Sequence, residues 1–343
     1  MIVDYLIMFL SAKQPRRLRV IENILHNKRT VTTLFWGMRY HILPWLGSNK
    51  QLTRINFDAA IDKLVGAGLA NVSQNQVLLT NTGKQAQLDF ERSHYQPQFL
   101  QFYLLGDLTK IERRVLLAGQ VLSEYSYHNK KYAPLSFDEG ELLAVKRWFQ
   151  QQDKQVVATE FKHELQSFLE TLPVQQANFW TMQLVGHQTA GWSAEQAAEQ
   201  LALSAMDADM MRRDLWAALT GFINERPGML HELIRPLITT SPLSHSTQVT
   251  YDLYKQHRSI SQISQYRHLK ESTIREHLLE VAIFMPAQFS FETVLPAETM
   301  QQFSQQYVGD IDHWQFKVAD KDDGQAFFYF RLFQIMRSYQ SHD

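Results

Sequence analysis

The chain has 343 residues, of which 45% are hydrophobic and 20% are charged, and its formal net charge is −1. This length is typical of two or three domains, and the composition is that of a globular protein rather than a disordered one. The nearly neutral charge excludes a protein that coats nucleic acid through overall positive charge, so any such contact must come from a local basic patch. Cysteine is absent, which excludes disulfides, thiolate metal sites and cysteine nucleophiles and is typical of a reducing cytosol.

The chain opens with a short apolar segment, residues 1–10, which Asp4 interrupts. No basic segment precedes it and no clear small-residue cleavage site follows it, so it predicts a buried first helix rather than a signal peptide. No run reaches the roughly 18 apolar residues that a membrane span requires. We therefore expect a cytoplasmic protein without membrane contact.

The first predicted domain covers residues 1–93 and ends in a pattern typical of a winged helix. Residues 57–69 have helical spacing and end in glycines, and two short strand-like pieces then flank the polar turn 73–75. Residues 80–84 begin another helix. The pattern favours a winged-helix-like domain, and a helical domain with one surface hairpin is the alternative.

Basic residues cluster between positions 11 and 54, where nine Lys and Arg residues stand against a single acidic residue, Glu22. Such a cluster is either a solvated face or a binding surface for an anionic partner, of which phosphate is the obvious candidate. We predict that the phosphate contacts of this region come from Arg16, Arg17, Arg19, Lys28 and Arg29.

The region 94–240 has helical spacing throughout, for example at 141–149 and 161–169. Ser193 is a predicted helix N-cap, and a further helix is predicted to begin at Asp207. We interpret this region as a helical middle domain that acts as a spacer or docking module. A segment rich in Ser, Thr and Pro follows as a linker, and the C-terminal domain is predicted over 245–343.

The most informative stretch predicts three short helices, over residues 247–255, 260–266 and 271–283. In the first helix, Val249 and Leu253 are expected to face inward. The third helix carries one apolar face, formed by Ile274, Leu278 and Val281.

The third helix has the arrangement of a DNA recognition helix, because polar residues at its N-terminal end lie opposite the apolar face. Hydroxyl groups suit phosphate oxygens, and an arginine suits guanine or the backbone. The corner departs from the usual pattern, since His268 stands where glycine normally supplies a positive φ and Lys270 stands where a serine N-cap is typical. The predicted DNA contacts here are Lys270, Ser272, Thr273 and Arg275.

Two alternatives to DNA binding by an accessory protein stay open. The three-helix stretch has five basic residues against four acidic ones, and helix-turn-helix motifs also serve as protein-binding modules, so the chain is alternatively an adaptor without direct DNA contact. A sequence-specific transcription regulator is the other alternative; it predicts a dimer with a strong preference for one DNA sequence.

Residues 246–254, 259–264 and 272–278 resemble the helix-turn-helix at the C-terminus of RecQ-type helicases. The chain is also similar to the YpbB-like bacterial proteins that accompany such helicases, in its length, in its N-terminal "GL…LLTxxG" segment and in the C-terminal position of the motif. The resemblance implies a partner role beside a RecQ-type DNA helicase in recombination or repair, and it supplies no catalytic residues.

Sequence motifs of common enzymes are missing. No G-x-x-x-x-G-K-S/T phosphate loop occurs, and neither His163-Glu164 nor His231-Glu232 continues into a zincin motif. No nucleophile elbow is present either. We therefore expect no catalytic residue, metal or cofactor. The sequence predicts a mainly α protein with a winged-helix-like N-terminal domain, a helical middle region and a C-terminal helix-turn-helix domain, acting as a non-enzymatic DNA-binding accessory protein.

Overall fold

A computed structural model describes residues 4–136, 138–239, 241–316 and 324–340. The protein is mainly helical, as predicted. The helices are α1 (Leu18–Leu25), α2 (Val31–Arg39), α3 (Arg54–Gly66), α4 (Asn81–Ser93), α5 (Leu108–Ser126), α6 (Glu139–Gln151), α7 (Val157–Leu169), α8 (Val174–Thr181), α9 (Ala194–Gln200), α10 (Ala205–Asn224), α11 (Met229–Ile234), α12 (His245–Lys255), α13 (Ile260–Arg267), α14 (Glu271–Phe284), α15 (Phe291–Val294), α16 (Ala297–Gln306) and α17 (Gly324–Gln340). The strands are β1 (Arg16–Arg17), β2 (Ala70–Ser73) and β3 (Gln76–Leu79), and short 3₁₀ helices cover Asp4–Phe9, Leu43–Trp45, Leu100–Phe102, Arg235–Leu237, Pro286–Gln288 and Ile311–His313.

The chain divides into two compact units, each made of two separate stretches of sequence. Unit 1 comprises Met1–Pro15 and Thr53–Thr240, and unit 2 comprises Arg16–Leu52 and Ser241–Asp343. Thr240 and residues 341–343 lie outside the described residues. The domain boundaries expected from the sequence, after residues 93 and 240, stay a prediction.

The apolar start of the chain belongs to unit 1. Residues 1–3 lie outside the described residues, and the remainder forms the 3₁₀ helix Asp4–Phe9, in which Tyr5, Leu6 and Phe9 are buried. A short buried helical turn thus stands where the apolar spacing predicts a first helix.

The helix, hairpin and helix predicted near the end of the N-terminal region are confirmed in unit 1. Helix α3 ends at Gly66, and β2 pairs with β3 in an antiparallel hairpin. The hairpin turn is formed by Gln74 and Asn75, whose φ angles of 49° and 62° are both positive. Two such residues in succession are typical of the tight turn that joins two antiparallel strands.

The "LTxxG" segment joins this hairpin to α4. The Thr80 side chain caps the helix by accepting from the Gly83 amide at 2.9 Å, and it donates to the Gly68 carbonyl at 2.7 Å. A Cβ at Gly83 would lie 1.8 Å from the Leu69 carbonyl oxygen, so only glycine fits there. The motif therefore has a structural explanation, since it fastens α4 to the corner after α3.

The rest of unit 1 is a helical assembly around α5 and α10, with Trp180 and Trp216 fully buried in its core. Helix α10 begins at Ala205, two residues before the predicted start, because Ser204 caps it. On α10 the buried Asp214 carboxylate accepts from the Tyr95 hydroxyl at 2.6 Å. This bond fastens the segment after α4 to the core of the unit.

Unit 2 is built around α14, which packs against α2, α12, α13 and α17. Helix α17 is rich in aromatic residues, of which Phe328, Phe330 and Phe333 are buried. In the part of the chain that the structure describes, no helix is both long enough and apolar enough to cross a membrane.

Candidate nucleic-acid interface

The three predicted helices of the C-terminal motif are present as α12, α13 and α14, and their shared core contains Leu253, Ile263 and Ile274. The inward orientation predicted for Val249 is wrong, because 36% of this residue is exposed. Thr250 of α12 is buried instead, and its hydroxyl forms a hydrogen bond of 2.7 Å with His277 Nδ1 on α14. A polar contact between α12 and α14 thus takes the place of the predicted aliphatic contact.

Arg267, at the end of α13, connects this helix to α12 through hydrogen bonds. Its guanidinium donates to the Ser246 carbonyl oxygen at 2.6 Å and to the Ser246 hydroxyl at 3.0 Å, and it also donates to the Thr250 hydroxyl. These bonds hold the end of α13 against the start of α12. Arg267 is therefore a structural cation of the motif.

The corner between α13 and α14 has the geometry of a helix-turn-helix. His268 adopts the left-handed conformation, with φ 52° and ψ 40°, at the position where the sequence pattern lacks the usual glycine. The Ser264 hydroxyl donates to the Leu269 carbonyl oxygen at 2.5 Å, which closes the turn. A histidine therefore serves at this corner despite the cost of a Cβ in that conformation.

The N-terminus of α14 has no side-chain cap. Lys270 occupies the N-cap position with extended backbone angles, and its side chain makes no capping hydrogen bond. The first N–H groups of an α-helix have no partner within the helix, and together with the helix dipole they attract anions. The Thr273 amide bonds the Lys270 carbonyl oxygen at 3.0 Å, and the departure from a serine cap leaves the N–H groups of the first turn without a capping side chain next to an exposed ammonium group.

The predicted contact residues of α14 differ in how accessible they are. Lys270 and Ser272 are exposed, and Thr273 is half-buried. The Arg275 side chain is only 20% exposed, and its Nη2 atom lies 2.8 Å from a carboxylate oxygen of Glu271. The structure therefore offers Lys270 and Ser272 to a ligand directly, whereas Arg275 is paired along the same helix.

A further candidate, Tyr266, was missed by the sequence interpretation. It lies two residues before the corner and is 64% exposed, and the Arg258 guanidinium is 4.9 Å from the centre of its ring. Helical spacing did not contain the signal, because Tyr266 stands three residues after Ile263, a spacing that ordinarily predicts the same face of a helix. A large aromatic side chain on a polar face is typical of interaction surfaces.

The five predicted phosphate contacts of the N-terminal basic cluster lie in unit 2, the same unit as the helix-turn-helix, whereas Lys13 and Arg54 of this cluster belong to unit 1. Two of the five predicted contacts are bound to buried carboxylates. The Arg29 guanidinium lies 2.8 Å from Glu280 and also donates to the Pro242 carbonyl oxygen at 2.5 Å. Arg19 lies 2.7 Å from Glu22. These charges neutralise acids inside the unit.

The other three predicted contacts, Arg16, Arg17 and Lys28, differ in their exposure. Arg16 is half-buried, with its guanidinium 5.2 Å from the centre of the Tyr40 ring, and burial lowers its pKa. Arg17 is exposed and lies over the Trp36 ring at 4.4 Å, and Lys28 is exposed as well. Of the five predicted phosphate contacts, Arg17 and Lys28 are thus the exposed ones.

No group of three or more His, Asp or Glu residues suited to a metal ion occurs among the described residues. The described geometry therefore identifies no candidate metal centre.

Comparison with known proteins yields two similarities. Residues 246–319 match the family described as "Helix-turn-helix domain". The chain is 24% identical over 302 residues to protein YpbB of Bacillus subtilis (strain 168), which covers 83% of this chain and 82% of that protein. No solved structure matches the chain at a significant level. The chain therefore carries a helix-turn-helix domain in its C-terminal part and is similar over most of its length to protein YpbB.

Proposed function

We propose that the protein binds DNA through the N-terminal end of α14 and catalyses no reaction. The observation that carries this proposal is the uncapped start of α14, where the exposed Lys270 ammonium stands beside backbone N–H groups that lack a side-chain acceptor. A phosphate group suits both kinds of donor. The match of residues 246–319 to a helix-turn-helix domain supports the same function.

The hydroxyls of Ser272 and Thr273 complete the primary contact on the first turn of α14. Arg275 makes a secondary contact, because its guanidinium is paired with the carboxylate of Glu271. To bind phosphate, the guanidinium must either leave this carboxylate or contact both groups at once. Arg17 and Lys28 supply further phosphate contacts in unit 2. We assign supporting roles to Arg16, Arg19 and Arg29, since their guanidinium groups lie against Tyr40, Glu22 and Glu280.

Fluorescence anisotropy with single-stranded, duplex and forked DNA at two salt concentrations tests the proposal. We expect Lys270→Ala to weaken binding to every substrate and to reduce the salt slope by about one, because one phosphate contact is lost. Arg275→Ala should weaken binding less.

The matched control is Lys255→Ala, an exposed lysine of the same domain that pairs with Asp252 at 3.0 Å. It should leave affinity nearly unchanged. Absence of binding at low salt, or equal losses in Lys270→Ala and Lys255→Ala, contradicts the proposal.

We further propose that the protein acts with a RecQ-type DNA helicase in recombination or repair, in the cytoplasm. This proposal rests on the resemblance of residues 246–278 to the C-terminal motif of those helicases and on no contact in the structure. Co-elution of the purified chain with such a helicase on size exclusion, in the absence of DNA, tests it. Separate elution at micromolar concentrations contradicts a stable complex.

An adaptor that binds only protein is the second candidate function, and the nearly balanced charge of the helix-turn-helix favours it. In that case Lys270→Ala weakens association with the helicase while no DNA substrate binds. A transcription regulator is distinguished by dimerisation and by a large preference for one duplex sequence over random DNA.

A further inference from the structure

Unit 1 contains an apolar cavity of about 550 Å³ that has no part in the proposed DNA contact. It lies between α5 and α7 and is closed on one side by the segment 184–189. Its apolar walls are formed by Leu122, Phe161, Leu165, Leu169, Leu184 and Val185. A volume in this range and predominantly apolar walls are typical of sites for small organic ligands.

Small residues keep the cavity open. Gly119 lies in the interior of α5, where glycine is less favourable than alanine because it loses more conformational freedom on folding. A Cβ at this position would meet only Phe161, at 3.8 Å, which is an ordinary contact distance. Packing therefore does not require glycine here, and the missing side chain instead leaves space in the wall. Ala158 on α7 is a second small residue in the lining.

The polar groups of the cavity are few, and among the described residues that line it only Lys162 is charged. Lys162 is exposed on α7. The nearest buried acid on α5, Glu124, is engaged by His187, whose Nδ1 lies 2.9 Å from its carboxylate. The Ser123 hydroxyl accepts from the His187 amide at 3.0 Å and so holds the closing segment in place. Among the described residues, Lys162 has no ion-pair partner.

We propose that this cavity binds a single-chain amphiphilic carboxylate of the fatty-acid class. The hydrocarbon chain lies along Phe161 and the leucines, and the carboxylate pairs with Lys162. Burial of the chain supplies most of the affinity, because each methylene group that is removed from water adds to it. The Lys162 ammonium group favours a ligand with an anionic head group over one with a neutral head group.

Titration of the full chain with a dansyl-labelled undecanoate, followed by displacement with dodecanoate or dodecanol, tests the proposal. We expect saturable fluorescence enhancement, and dodecanoate should displace the probe at lower concentrations than dodecanol. Gly119→Leu should fill the cavity and weaken binding at least about tenfold, which corresponds to 1.4 kcal/mol. Lys162→Gln should weaken the binding of dodecanoate by several fold and leave the affinity for dodecanol unchanged.

The matched control for Gly119→Leu is Gly66→Leu, because a Cβ at this helical glycine of unit 1 would meet nothing within 4 Å. Gly66→Leu should bind like the parent chain. Ala158→Leu is a second cavity-filling variant, should Gly119→Leu fail to fold. Absence of saturable enhancement, or unchanged affinity in folded Gly119→Leu or Ala158→Leu, overturns the proposal. Equal competition by dodecanoate and dodecanol overturns the role of Lys162.

Discussion

Glu280 is a buried carboxylate of α14 whose acceptor capacity is satisfied within unit 2. It pairs with Arg29 at 2.8 Å and accepts from the Ser244 amide at 2.7 Å and from the Thr247 hydroxyl at 3.0 Å. Buried charges are tolerated only when they are paired and hydrogen-bonded. Glu280 therefore connects α14 to the start of α12 and to the segment that precedes α2.

Glu280→Gln should lower the free energy of unfolding by about 3–5 kcal/mol, because the Arg29 guanidinium is left without its counter-charge in a largely buried site. Urea denaturation followed by circular dichroism measures the change. The control is Asp252→Asn, whose pairing with Lys255 is about half exposed on both sides and should contribute less than about 1 kcal/mol. Equal effects of the two substitutions would contradict this account.

His277 makes the stability of unit 2 depend on pH. Burial and the nearby charge of Arg267 lower its pKa below the ordinary value of 6.5. The unfolded chain therefore binds the proton at a higher pH than the folded chain does, and the free energy of unfolding falls as the pH drops through 6.5 toward the folded pKa.

This dependence is checked by urea midpoints measured one pH unit above and one unit below 6.5 for the parent chain and for His277→Gln. The parent should lose more stability on acidification than the variant, because the variant lacks the titrating imidazole. Parallel losses in both proteins would assign the pH dependence to other groups.

At the residue scale, sequence reasoning identified features that follow from a local pattern. His268 at the corner and Lys270 at the start of α14 were located from the spacing of three helices, and the structure shows the left-handed φ and the N-cap there. The pairing of Arg29 with Glu280 was not predictable in this way, because the partners are 251 positions apart and charge counting treats every arginine as free.

At the scale of elements, two helical glycines of unit 1 differ in what surrounds them. Gly83 in the first turn of α4 lies against the Leu69 carbonyl, and a Cβ there would come within 1.8 Å of its oxygen. Gly66 in the last turn of α3 has open space. The first glycine is required by close packing, and the second is not.

Gly83→Ala should therefore destabilise the protein by more than about 2 kcal/mol, since backbone must move to admit the methyl group. Gly66→Ala should be neutral or stabilising by about 0.5–1 kcal/mol, because alanine loses less conformational entropy in a helix. Thermal unfolding of both variants measures the difference. Similar melting temperatures for the two would mean that α4 is not held against the corner.

Element types were predictable because hydrophobic spacing and capping residues are local signals. The orientation of α12 was not predictable in this way, because Val249 is exposed while Thr247 and Thr250 are buried. Sequence patterns place hydroxyls outside by default, but here Glu280 and His277 provide partners that make their burial favourable. Those partners lie on another helix, α14, and the spacing of residues along α12 cannot predict them.

At the scale of the whole molecule, the helix-turn-helix belongs to a unit that also contains residues 16–52. A fragment of residues 241–343 lacks α1 and α2, so it exposes the face of α14 that packs on α2, removes the Phe35 ring from the Arg331 guanidinium and leaves Glu280 without Arg29. We expect this fragment to show reduced helicity and no cooperative thermal transition.

Addition of residues 16–52 as a peptide, or their fusion to the fragment through a flexible linker, should restore a cooperative transition. Circular dichroism with thermal melting measures the outcome. The control is the same addition with Arg29→Ala, which should restore stability only in part. A fragment that melts cooperatively by itself would show that the helix-turn-helix folds independently.

The division of unit 2 between two distant stretches also has a consequence during synthesis. Residues 16–52 leave the ribosome about 190 residues before the helices they pack against, which at about 5–20 residues per second is an interval of roughly 10–40 s. For that time α2, on which Leu34, Phe35 and Trp36 are buried in the finished protein, lacks its packing on α14. Helix α2 therefore cannot pack on α14 until residues 271–284 have been synthesised.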